Sequence, residues 1–164
     1  MKTRTEQLIT EGLISGAIGY AAVVLFFLIL NLFAGRSPFF TAALLGQAFF
    51  YGLNDPADVV VWAGPVIAYN GLHLIIFLAL GVLAAWLAAL AERGPEFWYI
   101  SILVFLFIIF HVYGALLLLT EPFRSVFPVW QSFAAGTLAS VGMGSFLVWA
   151  RPELRRELQE YREE

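Results

Sequence analysis

GLISGAIGYAAVVLFFLILNLFAG, residues 12–35, decides how this chain is read. It contains no Asp, Glu, Lys or Arg. A helix needs roughly 20 apolar residues to cross a hydrocarbon core of ~30 Å. Residues 59–91, 97–120 and 125–150 are equally free of charge, and so is the shorter stretch 37–54. The first stretch does not read as a secretory signal. Its apolar run is too long, Glu6 and Glu11 precede it, and no A-x-A site follows. It is expected to persist as a helix over residues 8–34.

The composition agrees. Of 164 residues, 61% are hydrophobic and 13% charged, and mean hydropathy is +0.84. That is about half the usual charged share of ~25%, too little polar surface to clothe a soluble domain and too apolar for disorder. The net charge of −3 carries no basic block, which argues against nucleic acid. There is no cysteine, so disulfides, thiolate metal sites, iron–sulfur clusters and covalently attached haem are excluded.

The expected fold is all-α: a single membrane domain with four transmembrane helices over residues 8–34, 65–91, 96–119 and 127–149. A helix running from Pro56 to Ala91 would be about 54 Å long, so Gly64-Pro65 is read as a break, with 56–63 at the interface. Arg93, Gly94 and Pro95 mark the end of the second span, as a cation in the last turn, a left-handed cap and a stop. Residues 38–52 open on Ser37-Pro38 and are read as a short interfacial or re-entrant helix. The tail 151–164 alternates in sign and reads as a solvated helical extension or a docking helix.

With four spans, both termini share one side. Lys2, Arg4, Arg93, Arg151, Arg155, Arg156 and Arg162 fall there, against Arg36 and Arg124 opposite. The positive-inside rule then puts both termini in the cytoplasm of a bacterial inner membrane. Trp62, Trp98, Trp130 and Trp149 lie near span ends, where amphipathic rings settle.

Two strips of small residues point to helix packing: Gly12, Gly16 and Gly19 on the first span, and Ser132, Gly136, Ser140 and Gly144 on the last. The expectation is a crossing of these two spans; an oligomer contact is the alternative. GRSPFF and FRSVFP, following the first and third spans, are faintly alike, from chance or from duplication of a two-helix unit.

No carboxylate or cation lies deep in any span, so no catalytic set and no metal site is expected. What remains is His73 and His111, each ~12–14 Å from the outer end of its helix, with Asn31, Tyr69, Asn70, Tyr113 and Gln131 in the same half. Three arrangements fit these residues. One is a neutral hydrogen-bond network. Another is a b-type haem with His73 and His111 as axial ligands, Gly81 and Gly114 leaving room for the macrocycle, and Arg36 and Arg124 near its propionates. The third is a pocket for a quinone, pigment or lipid.

FFTAALLGQAFFYG at 39–52, VIAYNGLHLIIFLALGVLAAWL at 66–87 and WARPELRREL at 149–158 resemble a group of small, uncharacterised four-helix bacterial inner-membrane proteins. The resemblance implies the same four-span fold, assigns no catalytic residue, and groups Asn70, Gly71 and His73 as a unit. The functional expectation is a non-enzymatic accessory or structural subunit of a larger bacterial membrane complex, respiratory or photosynthetic, in contact with lipid and with other membrane subunits or its own copies. The alternatives are a small haem b- or quinone-binding redox protein and an oligomeric transporter or channel.

Overall fold

The computed structural model describes residues 3–94, 102, 128–152 and 156. Four α-helices, and no strands, occur among the described residues: α1 (Arg4–Phe33), α2 (Phe40–Phe50), α3 (Ala63–Ala91) and α4 (Val129–Ala150). Three of them, α1, α3 and α4, are long and apolar enough to cross a membrane; α2 is shorter. The span expected over 96–119 lies outside the described residues.

α1 begins earlier than its apolar run. Thr3 Oγ1 accepts from the Glu6 amide at 3.2 Å and Glu6 Oε2 accepts from the Thr3 amide at 2.8 Å, a capping box that ties off two orphan donors. Its other end is closed by a Schellman turn. The Arg36 amide donates to Asn31 O (2.9 Å) and the Gly35 amide to Leu32 O (3.0 Å). Gly35 takes φ 67°, a conformation that a Cβ makes costly.

α2 starts two residues past Pro38, because Ser37 first makes a turn in which its carbonyl accepts from the Phe40 amide at 2.9 Å. α3 starts at Ala63, ahead of the expected break. Pro65 falls in its first turn, where backbone N–H groups have no intrahelical partner anyway, so the proline neither kinks nor interrupts the helix. A 3-10 turn at Pro56–Asp58, capped by Asp55, precedes it. At the far end α3 stops at Ala91, and the positive φ of 148° falls on Gly94, one residue beyond the usual left-handed cap position.

α1 and α3 run antiparallel and touch backbone to backbone. A Cβ on Gly16 would strike Phe77 O and Leu78 Cα; one on Gly81 would strike Gly12 O and Gly16 N. The glycine strip of α1 therefore packs on α3, with Gly19 reaching both Phe77 and Met143 of α4. α4 does lie on α1, but through Ala135 and Ala139, which pack with Val23, Phe26 and Phe27. Ser140 and Gly144 are exposed, and a Cβ on Gly144 would meet nothing within 4 Å among the described residues.

Away from these glycines α2 is wedged beside α3. Gly46 abuts the Pro65 carbonyl, and Ala43, Leu44 and Leu45 are buried. Gln47 ties down the extended approach to α3, its Nε2 donating to Val60 O at 2.7 Å and to Ala43 O at 3.1 Å.

Candidate functional site

A cavity of about 210 Å³ is lined by residues of α1, α2 and α3. Val23, Val24, Phe27 and Leu28 of α1 and Ala42 of α2 form much of its apolar wall, with Pro38 and Phe39 at the start of α2. Tyr20, Tyr69, Asn70 and His73 form one polar corner, and Thr41 adds a further polar group to the lining.

The corner is built from helical spacing. Tyr69 and His73 are four apart on α3, which places their rings one above the other; they stack at 5.2 Å with an interplanar angle of 21°. Phe77, a further turn along, meets the other side of the imidazole at 4.9 Å. Tyr20 reaches across from α1 and donates to Asn70 Oδ1 at 3.1 Å, while Asn70 Nδ2 donates to Val66 O at 2.8 Å. Asn70 is thereby held in one orientation. His73 Nε2 is buried and has no hydrogen-bond partner among the described residues. A buried polar atom left without a hydrogen bond costs about 1–3 kcal/mol. Among the described residues, no charged side chain lines the cavity.

Asn31 belongs to a separate polar joint. It is 4% exposed; its Nδ2 donates to Pro38 O (3.1 Å) and Thr41 Oγ1 (3.0 Å), and Thr41 Oγ1 donates to Asn31 Oδ1 at 3.1 Å. Arg36 lies at the turn after α1 with its guanidinium 4.7 Å over the Phe40 ring, and it does not line the cavity. His111, Tyr113, Gly114 and Arg124 lie outside the described residues, so the structure places only one of the two histidines. Gly71, grouped with Asn70 and His73 in sequence, is exposed, and a Cβ there would meet nothing within 4 Å among the described residues.

A second constellation sits at the opposite end, and sequence reasoning missed it. Arg151, at the end of α4, lies 2.8 Å from Glu11 Oε2 and 3.2 Å from Glu92 Oε2. Glu11 is in α1 and Glu92 caps the C-terminus of α3, where the helix dipole disfavours an anion; the guanidinium offsets that. Glu11 Oε1 also accepts from Gln7 Nε2 at 2.8 Å. Glu11 and Arg151 are each 8% exposed. Tyr20 was missed as well. Its signal was a tyrosine in the middle of an apolar run, away from the ends where such rings usually sit.

No protein-family model, curated protein or solved structure shows significant similarity to this chain.

Proposed function

We propose that the chain is an integral membrane protein, with both termini cytoplasmic, that serves as a non-enzymatic subunit of a larger bacterial membrane assembly. The carrying observation is the lateral surface. Only 22% of the apolar window of α1, of α3 and of α4 is buried within the protein. Leu25, Ile29, Ile67, Ile75, Phe133 and Val141 are each at least half exposed. Contiguous apolar surface on that scale marks contact with lipid or with other helices.

The arrangement of ends supports four crossings. Arg151 joins Glu11 and Glu92, so the start of α1 and the ends of α3 and α4 meet at one end. α3 therefore finishes and α4 begins at opposite ends, which is what a further crossing over 96–119 requires. The excess of Lys and Arg at the end that holds the termini then favours the cytoplasm.

The absence of cysteine makes the topology directly testable. Single cysteines at Glu6 and Asp55 are exposed to a membrane-impermeant maleimide. Asp55→Cys is expected to label in intact cells and Glu6→Cys only after lysis; labelling of both from one side overturns the topology. For the subunit role, cross-linking in native membranes with mass spectrometry is expected to join exposed α1, α3 or α4 positions to a larger membrane protein. Cross-links confined to this chain alone overturn that role.

A further inference from the structure

We infer that the cavity lined by α1, α2 and α3 holds one acyl chain of an outer-leaflet phospholipid, whose phosphate pairs with Arg36. The inference rests on the membrane placement proposed above. Most polar groups of the lining are already engaged. Tyr20 donates to Asn70 and Asn70 to Val66 O, while Thr41 exchanges hydrogen bonds with Asn31. His73 Nε2 has essentially no exposed surface, so it is not presented to an occupant. What the described residues offer the cavity is chiefly carbon, from Val23, Val24, Phe27, Leu28, Phe39 and Ala42. An apolar cavity of about 150 Å³ stays dry and accepts a small hydrocarbon; this one is about 210 Å³. A hydrocarbon guest restores the dispersion contacts that a void forfeits.

Extent and position select a chain rather than a compact molecule. The α1 part of the lining runs from Tyr20 to Leu28, about 12 Å along the helix at 1.5 Å per residue. Pro38 and Phe39, just past the outer end of α1, line the cavity as well. Phe39 is 51% exposed, so the lining reaches the surface there. Arg36 identifies the head. Its guanidinium lies 4.7 Å from the centre of the Phe40 ring, and the residues on either side of Phe40 both line the cavity. Arg36 is exposed and, among the described residues, has no carboxylate in ion-pairing range. A guanidinium left unpaired at the outer end of a membrane helix matches a lipid phosphate in charge and in hydrogen-bonding geometry. From such a phosphate, a chain running inward past Phe39 enters the cavity.

The test uses the full chain in phosphatidylcholine nanodiscs doped with a phosphatidylcholine that carries a diazirine midway along one acyl chain. After irradiation, mass spectrometry locates the cross-links. Leu25 and Ile29, both at least half exposed, report ordinary lipid contact. Cross-links are expected at Val24, Phe27 and Leu28 in addition. Ala42→Phe, which fills the cavity from α2, is expected to remove these three and spare Leu25 and Ile29. Replacing the photolipid by a diacylglycerol with the same chains removes the phosphate. Labelling of the cavity positions relative to Leu25 and Ile29 is expected to fall about threefold (~0.7 kcal/mol), as for an exposed ion pair. That difference is expected to vanish in Arg36→Ala and to persist in Arg36→Lys. Circular dichroism identifies variants that keep their helicity; should Ala42→Phe lose it, Val24→Phe takes its place, read at Phe27 and Leu28. Labelling at Leu25 and Ile29 without the cavity positions overturns the inference, as does cavity labelling that survives filling. Equal labelling by the two lipids overturns the role of Arg36 and with it the phospholipid. Loss of labelling everywhere overturns the membrane placement itself.

Discussion

The two ends of the helix pair α1–α3 are held by opposite means. At one end the helices meet at Gly12, Gly16 and Gly81 with main chains in contact, and an arginine shared by Glu11 and Glu92 binds α4 to both. At the other end the pair is joined through side chains. Tyr20 donates to Asn70 across it, and α2 meets α1 through Asn31–Thr41 and α3 through Gly46–Pro65. The first end is dense and charged; the second is neutral and leaves a cavity. The lesson is that glycine decides where a helix pair closes, and what sits at the open end is decided by what wedges it. Among apolar surroundings, close approach of backbones matters most, because lipid competes evenly with any apolar side chain.

The comparison ranks the consequences of mutation. Arg151→Ala strands two carboxylates near one another in a buried place, and losing one partner of a buried ion pair costs about 3–5 kcal/mol. Unfolding titrated with denaturing detergent in mixed micelles is expected to show that loss; a cost below about 1 kcal/mol, as for exposed pairs, would mean the charged end does not hold the bundle. Gly81→Ala comes next. Its methyl meets main-chain atoms of Gly12 and Gly16, and overpacking of this kind costs about 1–3 kcal/mol. Gly144→Ala, with nothing within 4 Å among the described residues, is expected to change stability by less than about 0.5 kcal/mol. Equal effects from the two glycines would erase the assigned crossing. The smallest change is expected at the open end. Tyr20→Phe removes one interhelical hydrogen bond, worth about 0.6 kcal/mol among membrane helices. A larger loss than for Gly81→Ala would reverse the order of the two ends.

Much of the architecture was legible. The charge-free runs located α1, α3 and α4, and Ser37-Pro38 located α2 to within a few residues. The rotation of each helix was not legible. Apolar residues surround all four helices, so no polar face fixes which side turns inward. For that reason the strip Gly12, Gly16, Gly19 was assigned to a crossing with the last span although Gly12 and Gly16 pack on α3, and the small residues of α4 looked like packing positions although Ser140 and Gly144 are exposed. In the candidate site, Asn70 and His73 were selected because polar groups are rare in such runs, and the structure sets both on one cavity. The ionic cluster escaped notice because Glu11, Glu92 and Arg151 each sit just beyond an apolar run, where a charge is ordinary; only folding brings the three together.

The joint between α1 and α2 has a consequence for how the protein is made. Asn31 finds Pro38 and Thr41 seven and ten residues along, and the Gly35 turn that aims the chain back is local as well. Contacts this near in sequence close quickly and at little entropic cost. The hairpin can thus set as the chain emerges from the ribosome, before α3 has been synthesised. The seat of α2 against α3, through Gly46 and Pro65, completes the arrangement only once α3 is present.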